Sequence, residues 1–123
     1  MKQTLRQQAQ CIISASISAV VPDEAVLRAL KGITFPGKVI LVAVGKAAWQ
    51  MAKTAADLLG DKFSGGAVVT KYGHVKAPIP GLECYEAGHP VPDRNSFRAT
   101  ERVIELVKDL GKDDAVVFLL SGG

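Results

Sequence analysis

Four turns gather the residues whose types and spacing suit chemistry: Gly45-Lys46, Lys71-Tyr72-Gly73-His74, Gly88-His89 and Ser121-Gly122-Gly123. Lysine at a glycine turn can meet an anionic substrate or a phosphoryl group in transfer. Glycine lets a ligand approach the backbone. Ser-Gly-Gly directly after an apolar run suits a loop that wraps phosphate with backbone N–H groups. Ser121 has no G-x-S-x-G elbow around it, which favours phosphate cradling over a nucleophilic role. His74 and His89 can face a cleft or simply hold their loops. The lysine turn is not a Walker A loop, because both its glycine spacing and the following Ser/Thr are absent. Nor is Gly45-Lys46-Ala47-Ala48-Trp49 a G-x-G-x-x-G fingerprint. Cys11 and Cys84 match no metal spacing, so no metal centre and no disulfide are expected, and reduced thiols are the default.

These turns need elements to position them. Val39-Ile40-Leu41-Val42-Ala43-Val44 is apolar on both faces, as in a central strand of a parallel sheet. A strand from Lys38 to Val44 is expected, followed by a helix from Ala47 to Leu59 that ends near Gly60. Ala67–Thr70 and Leu82–Ala87 read as strands separated by a polar loop with two prolines. Asp93 or Asn95 can cap a helix whose residues Phe97, Val103, Ile104, Leu106, Val107 and Leu110 form one apolar face. Ala115 to Leu120 is a buried strand. Upstream, Leu5, Ala9, Ile12, Ile13, Ser16 and Ile17 fall at helical spacing and predict a helix over 2–20. Pro22-Asp23-Glu24 starts a second, short helix. Strands alternating with helices predict an α/β fold, a Rossmann-like parallel sheet with flanking helices, truncated after a strand. In such sheets ligands bind beyond the carboxyl ends of the strands, where all four turns lie.

Composition narrows the function classes. Hydrophobic residues at 48% in 123 residues allow one domain with a real core. A formal charge of +3, with Lys and Arg spread among Asp and Glu, gives no nucleic-acid footprint. There is no signal-peptide pattern and no apolar run of membrane length, so a soluble, cytoplasmic protein is expected.

Across Val44-Gly45-Lys46-Ala47-Ala48, Val69-Thr70-Lys71-Tyr72-Gly73-His74, Ala87-Gly88-His89-Pro90-Val91-Pro92-Asp93 and Leu120-Ser121-Gly122-Gly123, the chain resembles the N-terminal domain of the class II glycerate kinases, the glycerate 2-kinases. Their second, C-terminal domain is called MOFRL. The motifs occur in the family's order over about residues 38–123, and the first helices match only in character. The resemblance implies ATP-dependent phosphorylation of D-glycerate at its 2-hydroxyl, with Mg²⁺, giving 2-phosphoglycerate and ADP. Lys46 matches the family's active-site lysine, which would hold the glycerate carboxylate or offset charge on the moving phosphoryl group. Ser121, Gly122 and Gly123 match the start of its phosphate loop. Gly45, Lys71, His74 and His89 match motif residues near the cleft.

The resemblance also implies what these residues lack. The family continues with another glycine, later acidic residues and a cation from the second domain. Residues 1–123 are therefore expected to be an incomplete N-terminal domain of a two-domain kinase, inactive alone, with one apolar face of the final strand uncovered and open to self-association. Two other functions stay open: a hydroxypyruvate oxidoreductase, a label the family has carried, and a non-catalytic module that binds sugar phosphates. The missing nicotinamide fingerprint weighs against the first.

Overall fold

The structure is a computed structural model that describes residues 12–17, 22–89 and 91–121. Its elements in chain order are β1 (Ile12–Ile17), α1 (Pro22–Leu30), β2 (Val39–Val44), α2 (Ala48–Leu59), β3 (Gly65–Lys71), β4 (Glu83–Ala87), α3 (Arg94–Val107) and β5 (Ala115–Ser121). The strands form one parallel sheet in the order β1-β5-β2-β3-β4. This is the Rossmann-like α/β sheet that the alternating pattern predicts.

Strand β2 explains the core. It pairs with β5 on one side and β3 on the other, so its apolar run is covered from every direction and Val39, Leu41, Val42 and Ala43 are fully buried. One face of the sheet receives α2, whose Ala48, Met51, Ala52, Ala55, Ala56 and Leu59 are buried against it. The small alanines let the helix lie close to the strands, and α1 adds Val26 and Leu30 to the same cluster. Helix α3 packs on the opposite face, over β4 and β3. Chain direction accounts for this division. The path β2-α2-β3 moves one way along the sheet and β4-α3-β5 moves back, so right-handed crossovers place their helices on opposite faces.

Two expectations need correction. Residues 12–17, read as part of a helix over 2–20, form an edge strand in parallel register with β5, Ile12 opposite Val116 through Ile17 opposite Ser121. Isoleucine and serine at these positions fit either period, and the free edge of β5 supplies backbone partners that a helix there would leave unmet. The remainder of that predicted helix, with Cys11, lies outside the described residues. Second, the apolar residues of α3 are not a buried face: only Ala99 is buried, while Phe97 and Ile104 are 67% and 55% exposed. As expected, a loop without a helix joins β3 to β4, its parallel neighbour.

That last connection, residues 72–82, is held by specific contacts. The Glu86 carboxylate accepts from the backbone N–H groups of Gly73 (3.1 Å) and Val75 (3.0 Å). Trp49 donates its indole N–H to the Ala77 carbonyl at 2.8 Å, and the Lys76 ammonium lies 5.8 Å from the centre of the same ring. Ile79 is buried in the core. A parallel crossover this short closes because its backbone groups find partners on β4 and α2.

Along β5, burial alternates. Ala115, Val117 and Leu119 are buried under α2, whereas Val116 and Phe118 are half-buried and Leu120 is 40% exposed. The second face of this strand is thus incompletely covered by the described residues.

Candidate functional site

Because β2 leads to β3 on one side while its other neighbour is β5, the sheet reverses its order of travel between β2 and β5. Such a switch point leaves a crevice at the carboxyl ends of the two strands. Gly45-Lys46 and Ser121 stand there.

Backbone geometry defines the lysine turn. Gly45 has φ +121°, a conformation that side chains avoid. Space is closed as well, because a β-carbon at Gly45 would run into the Ser121 side chain and carbonyl. Gly45 donates its N–H to the Val69 carbonyl (3.1 Å) and accepts from Ala48 N–H (3.1 Å). Ser121 Oγ accepts from Ala47 N–H at 3.1 Å. The Lys46 carbonyl accepts from Thr70 Oγ1 at 3.3 Å, and His74 Nδ1 lies 3.2 Å from the same oxygen. The Lys46 side chain is exposed and makes no ion pair among the described residues.

Beside this turn is a cleft of about 190 Å³. Its walls are the ends of β2, β3 and β4 and the first turns of α3, with Gly45, Thr70, Lys71, Gly88, His89 and Ser96 among the lining residues. The structure therefore brings Gly45, Lys71 and His89 together at one cleft. Lys46, His74 and Ser121 sit at the adjoining turn instead, and Gly122 and Gly123 lie outside the described residues. Thr70, Ser96 and Thr100 went unnoticed in the sequence. A threonine ending a strand that the ligand rule already singles out was the available signal for Thr70.

Two helices begin at this edge, and their N-termini differ. Asp93 caps α3: its carboxylate accepts from Ser96 N–H (3.1 Å), while Ser96 Oγ accepts from Asp93 N–H (3.0 Å). The same carboxylate accepts from the Tyr72 hydroxyl (2.6 Å) and from the backbone of Gly88. These donors, the tyrosine first, hold the Asp93 carboxyl down to about 2. An anion already occupies the positive end of α3. Helix α2, by contrast, has no capping side chain on its N-cap residue and no acid in its first turn. Without an acid of its own in that turn, this end of the cleft keeps positive potential, reinforced by Lys46. An anionic ligand is better served at the Lys46 turn than at α3.

Among the described residues no three His, Cys, Asp or Glu side chains are grouped to hold a metal ion. Burial raises the pKa of the half-buried Cys84 thiol, so this free cysteine is a poor thiolate. No helix among the described residues is long and apolar enough to cross a membrane.

Comparison with known proteins agrees with this architecture. The chain is 54% identical over 121 residues to the D-glycerate 2-kinase of Thermotoga maritima, an alignment covering 98% of this chain and 29% of that protein. It is 39% identical over 118 residues to an Agrobacterium vitis protein that bears the name of a hydroxypyruvate reductase, covering 96% of this chain and 26% of the relative. A crystal structure of the glycerate kinase from Thermotoga maritima superposes with a TM-score of 0.79 at 50% identity, over 98% of this chain and 26% of that one. The chain thus spans less than a third of the length of these proteins. Residues 8–123 match the family described as Domain of unknown function (DUF4147), and the chain belongs to that family.

Proposed function

We propose that this chain is the N-terminal, Rossmann-like part of a two-domain cytoplasmic kinase, completed by a C-terminal MOFRL domain. It would transfer the γ-phosphoryl group of ATP to the 2-hydroxyl of D-glycerate, giving 2-phosphoglycerate, ADP and a proton. The observation that carries this reading is the Lys46 turn: a lysine with no ion pair among the described residues, after a positive-φ glycine, at the sheet's switch point, beside a helix N-terminus with no acid in its first turn. The names of the Thermotoga relative and of its crystal structure support the substrate.

Catalysis of this kind is mostly positioning and charge neutralisation. Lys46 would hold the glycerate carboxylate or offset charge on the phosphoryl oxygens in flight. Lys71 and His89 would line the substrate cleft, and the backbone of Ser121, Gly122 and Gly123 would approach phosphate. Mg²⁺ would arrive with the nucleotide. The described residues offer no cluster of three His, Cys, Asp or Glu ligands for it.

The test is D-glycerate-dependent ADP release from Mg-ATP, with the product identified by phosphorus NMR. It is run on this chain alone and on this chain joined to the part of the Thermotoga kinase that it does not cover. Turnover is expected only in the joined protein. The hydroxypyruvate reductase reading, favoured only by the name of one relative, predicts NADH loss with hydroxypyruvate in a parallel control. NADH consumption without ADP release would replace the kinase reading.

The face of β5 that the described residues cover incompletely, with Val116, Phe118 and Leu120, supports self-association of this chain when it is alone. Light scattering that shows a compact monomer at high concentration would count against it.

A further inference from the structure

The contacts around Lys46 fall on its backbone, and they come from three different parts of the fold. Thr70, at the end of β3, is 4% exposed, a buried polar side chain whose hydroxyl reaches the Lys46 carbonyl. His74, in the loop after β3, brings Nδ1 to the same oxygen. A carbonyl oxygen only accepts, with two lone pairs, so both Thr70 Oγ1 and His74 Nδ1 must carry a proton toward it. Ser121, on β5, takes the next N–H along the chain, that of Ala47. Helix α2 has no side-chain cap of its own, and this hydroxyl, 74 residues away, supplies a partner to its N-cap residue.

We propose that Thr70, His74 and Ser121 are positioning residues that aim the Lys46 side chain by clamping the peptide unit that joins it to Ala47. An acceptor lone pair of the Ser121 hydroxyl and Nδ1 of His74 are committed to the turn. The Ser121 O–H proton and the Ser121 backbone are left for phosphate. All three contacts fall on the one peptide unit that joins Lys46 to Ala47, and on the other side of the Lys46 α-carbon the Gly45 carbonyl accepts from Ala48 N–H, so the ammonium is delivered to the crevice from a rigid base while its flexible stem stays free. Small displacements of such a group are costly in a reaction that depends on placement.

The inference rests on the kinase reading for the purpose of the clamp, but not for its existence, and the experiment separates the two. On the 123-residue chain, nitrogen NMR of the unsubstituted His74 ring is expected to show the proton on Nδ1. In Ser121→Ala, the Ala47 amide is expected to exchange with solvent roughly tenfold faster. Thr70→Val and His74→Leu should move the Lys46 carbonyl carbon resonance. Thr70→Ser and His74→Asn, which keep a donor near the same place, should restore it.

In the joined protein, the three disruptive substitutions should each lower kcat about ten- to hundredfold. KM for Mg-ATP should stay nearly constant, with recovery in Thr70→Ser and His74→Asn. A His74 proton on Nε2, with unaltered Ala47 exchange in Ser121→Ala, would overturn the clamp. Loosened amides with undiminished kcat, in a protein that Lys46→Ala inactivates, would overturn its role in aiming the lysine. Full turnover by Lys46→Ala would sink the kinase assignment of Lys46, and this purpose with it.

Discussion

The hydroxyl of Tyr72 donates a 2.6 Å hydrogen bond to the carboxylate of Asp93, tying the loop after β3 to the residue that caps α3. Asn95 donates to the same hydroxyl at 2.9 Å. Two walls of the cleft are thereby fixed to each other at its rim, outside the hydrophobic core.

This latch makes the acid behaviour of the cleft predictable. Asp93 titrates near 2 in the folded chain, below the ordinary 3.8, chiefly because the tyrosine hydroxyl stabilises the carboxylate. A depressed folded-state pKa means that the stabilisation is complete above about 3.8 and is lost as the pH falls through about 2. Carbon NMR of the Asp93 carboxyl should give that midpoint in the native chain. In Tyr72→Phe it should rise toward 3.8, and an unmoved midpoint would show that the tyrosine is not the cause.

Two glycines with positive φ should respond differently to alanine. At Gly45 the backbone is unfavourable for a side chain and Ser121 occupies the space, whereas at Gly60 (φ +60°) nothing lies within 4 Å of the point where an alanine methyl would stand. Gly60→Ala should cost about 1 kcal/mol and Gly45→Ala about 3 kcal/mol or more, the excess reflecting the crowding. Urea unfolding of both variants measures the difference, and equal losses would mean that the turn relaxes away from β5.

Leucines on and off the covered face of the sheet give a second comparison. Leu41 is fully buried and Leu120 is 40% exposed. Leu41→Ala should lower stability by about 3 kcal/mol, through lost burial and the cavity it leaves. Leu120→Ala should cost under about 1 kcal/mol in dilute solution. A large loss at Leu120 that grows with protein concentration would indicate that a second copy covers β5.

The only tryptophan of the chain, Trp49, pins the 72–82 crossover through its indole N–H. Trp49→Phe keeps the aromatic surface and removes that donor. Faster amide exchange is expected around Ala77, with the strands unchanged, because the loss is local. Protection equal to that of the native chain would assign the loop's order to Ile79 and Glu86 instead.

Much of the frame is legible in local pattern. The unbroken apolar run of β2 specifies a central strand, Asp93 and Asn95 are both marked as possible caps before a helix, of which Asp93 takes the role, and the glycine turns fall at strand ends as the parallel sheet requires. What escaped notice depends on distance along the chain. Ile12, Ile13, Ser16 and Ile17 satisfy helical and extended periods alike, and only the free edge of β5 decides between them. Phe97 and Ile104 lie on a well-formed apolar stripe, yet α3 meets the sheet through Ala99. Nothing near Ser121 in sequence reveals that its hydroxyl serves Ala47, and Thr70 looks like an ordinary strand residue until the Lys46 carbonyl is placed beside it.

The hydrogen bond from Ala47 to Ser121 has a consequence for the order of events during synthesis. A ribosome delivers the Lys46 turn early, but the strand that secures it emerges some 74 residues later. Until β5 inserts between β1 and β2, the turn lacks one of its three supports and the lysine has no fixed bearing. Contacts of such long sequence separation form late in folding. The nascent or partly folded chain would therefore carry its reactive cation in an unassembled state, and the site would become competent only as the sheet closes around its central strands.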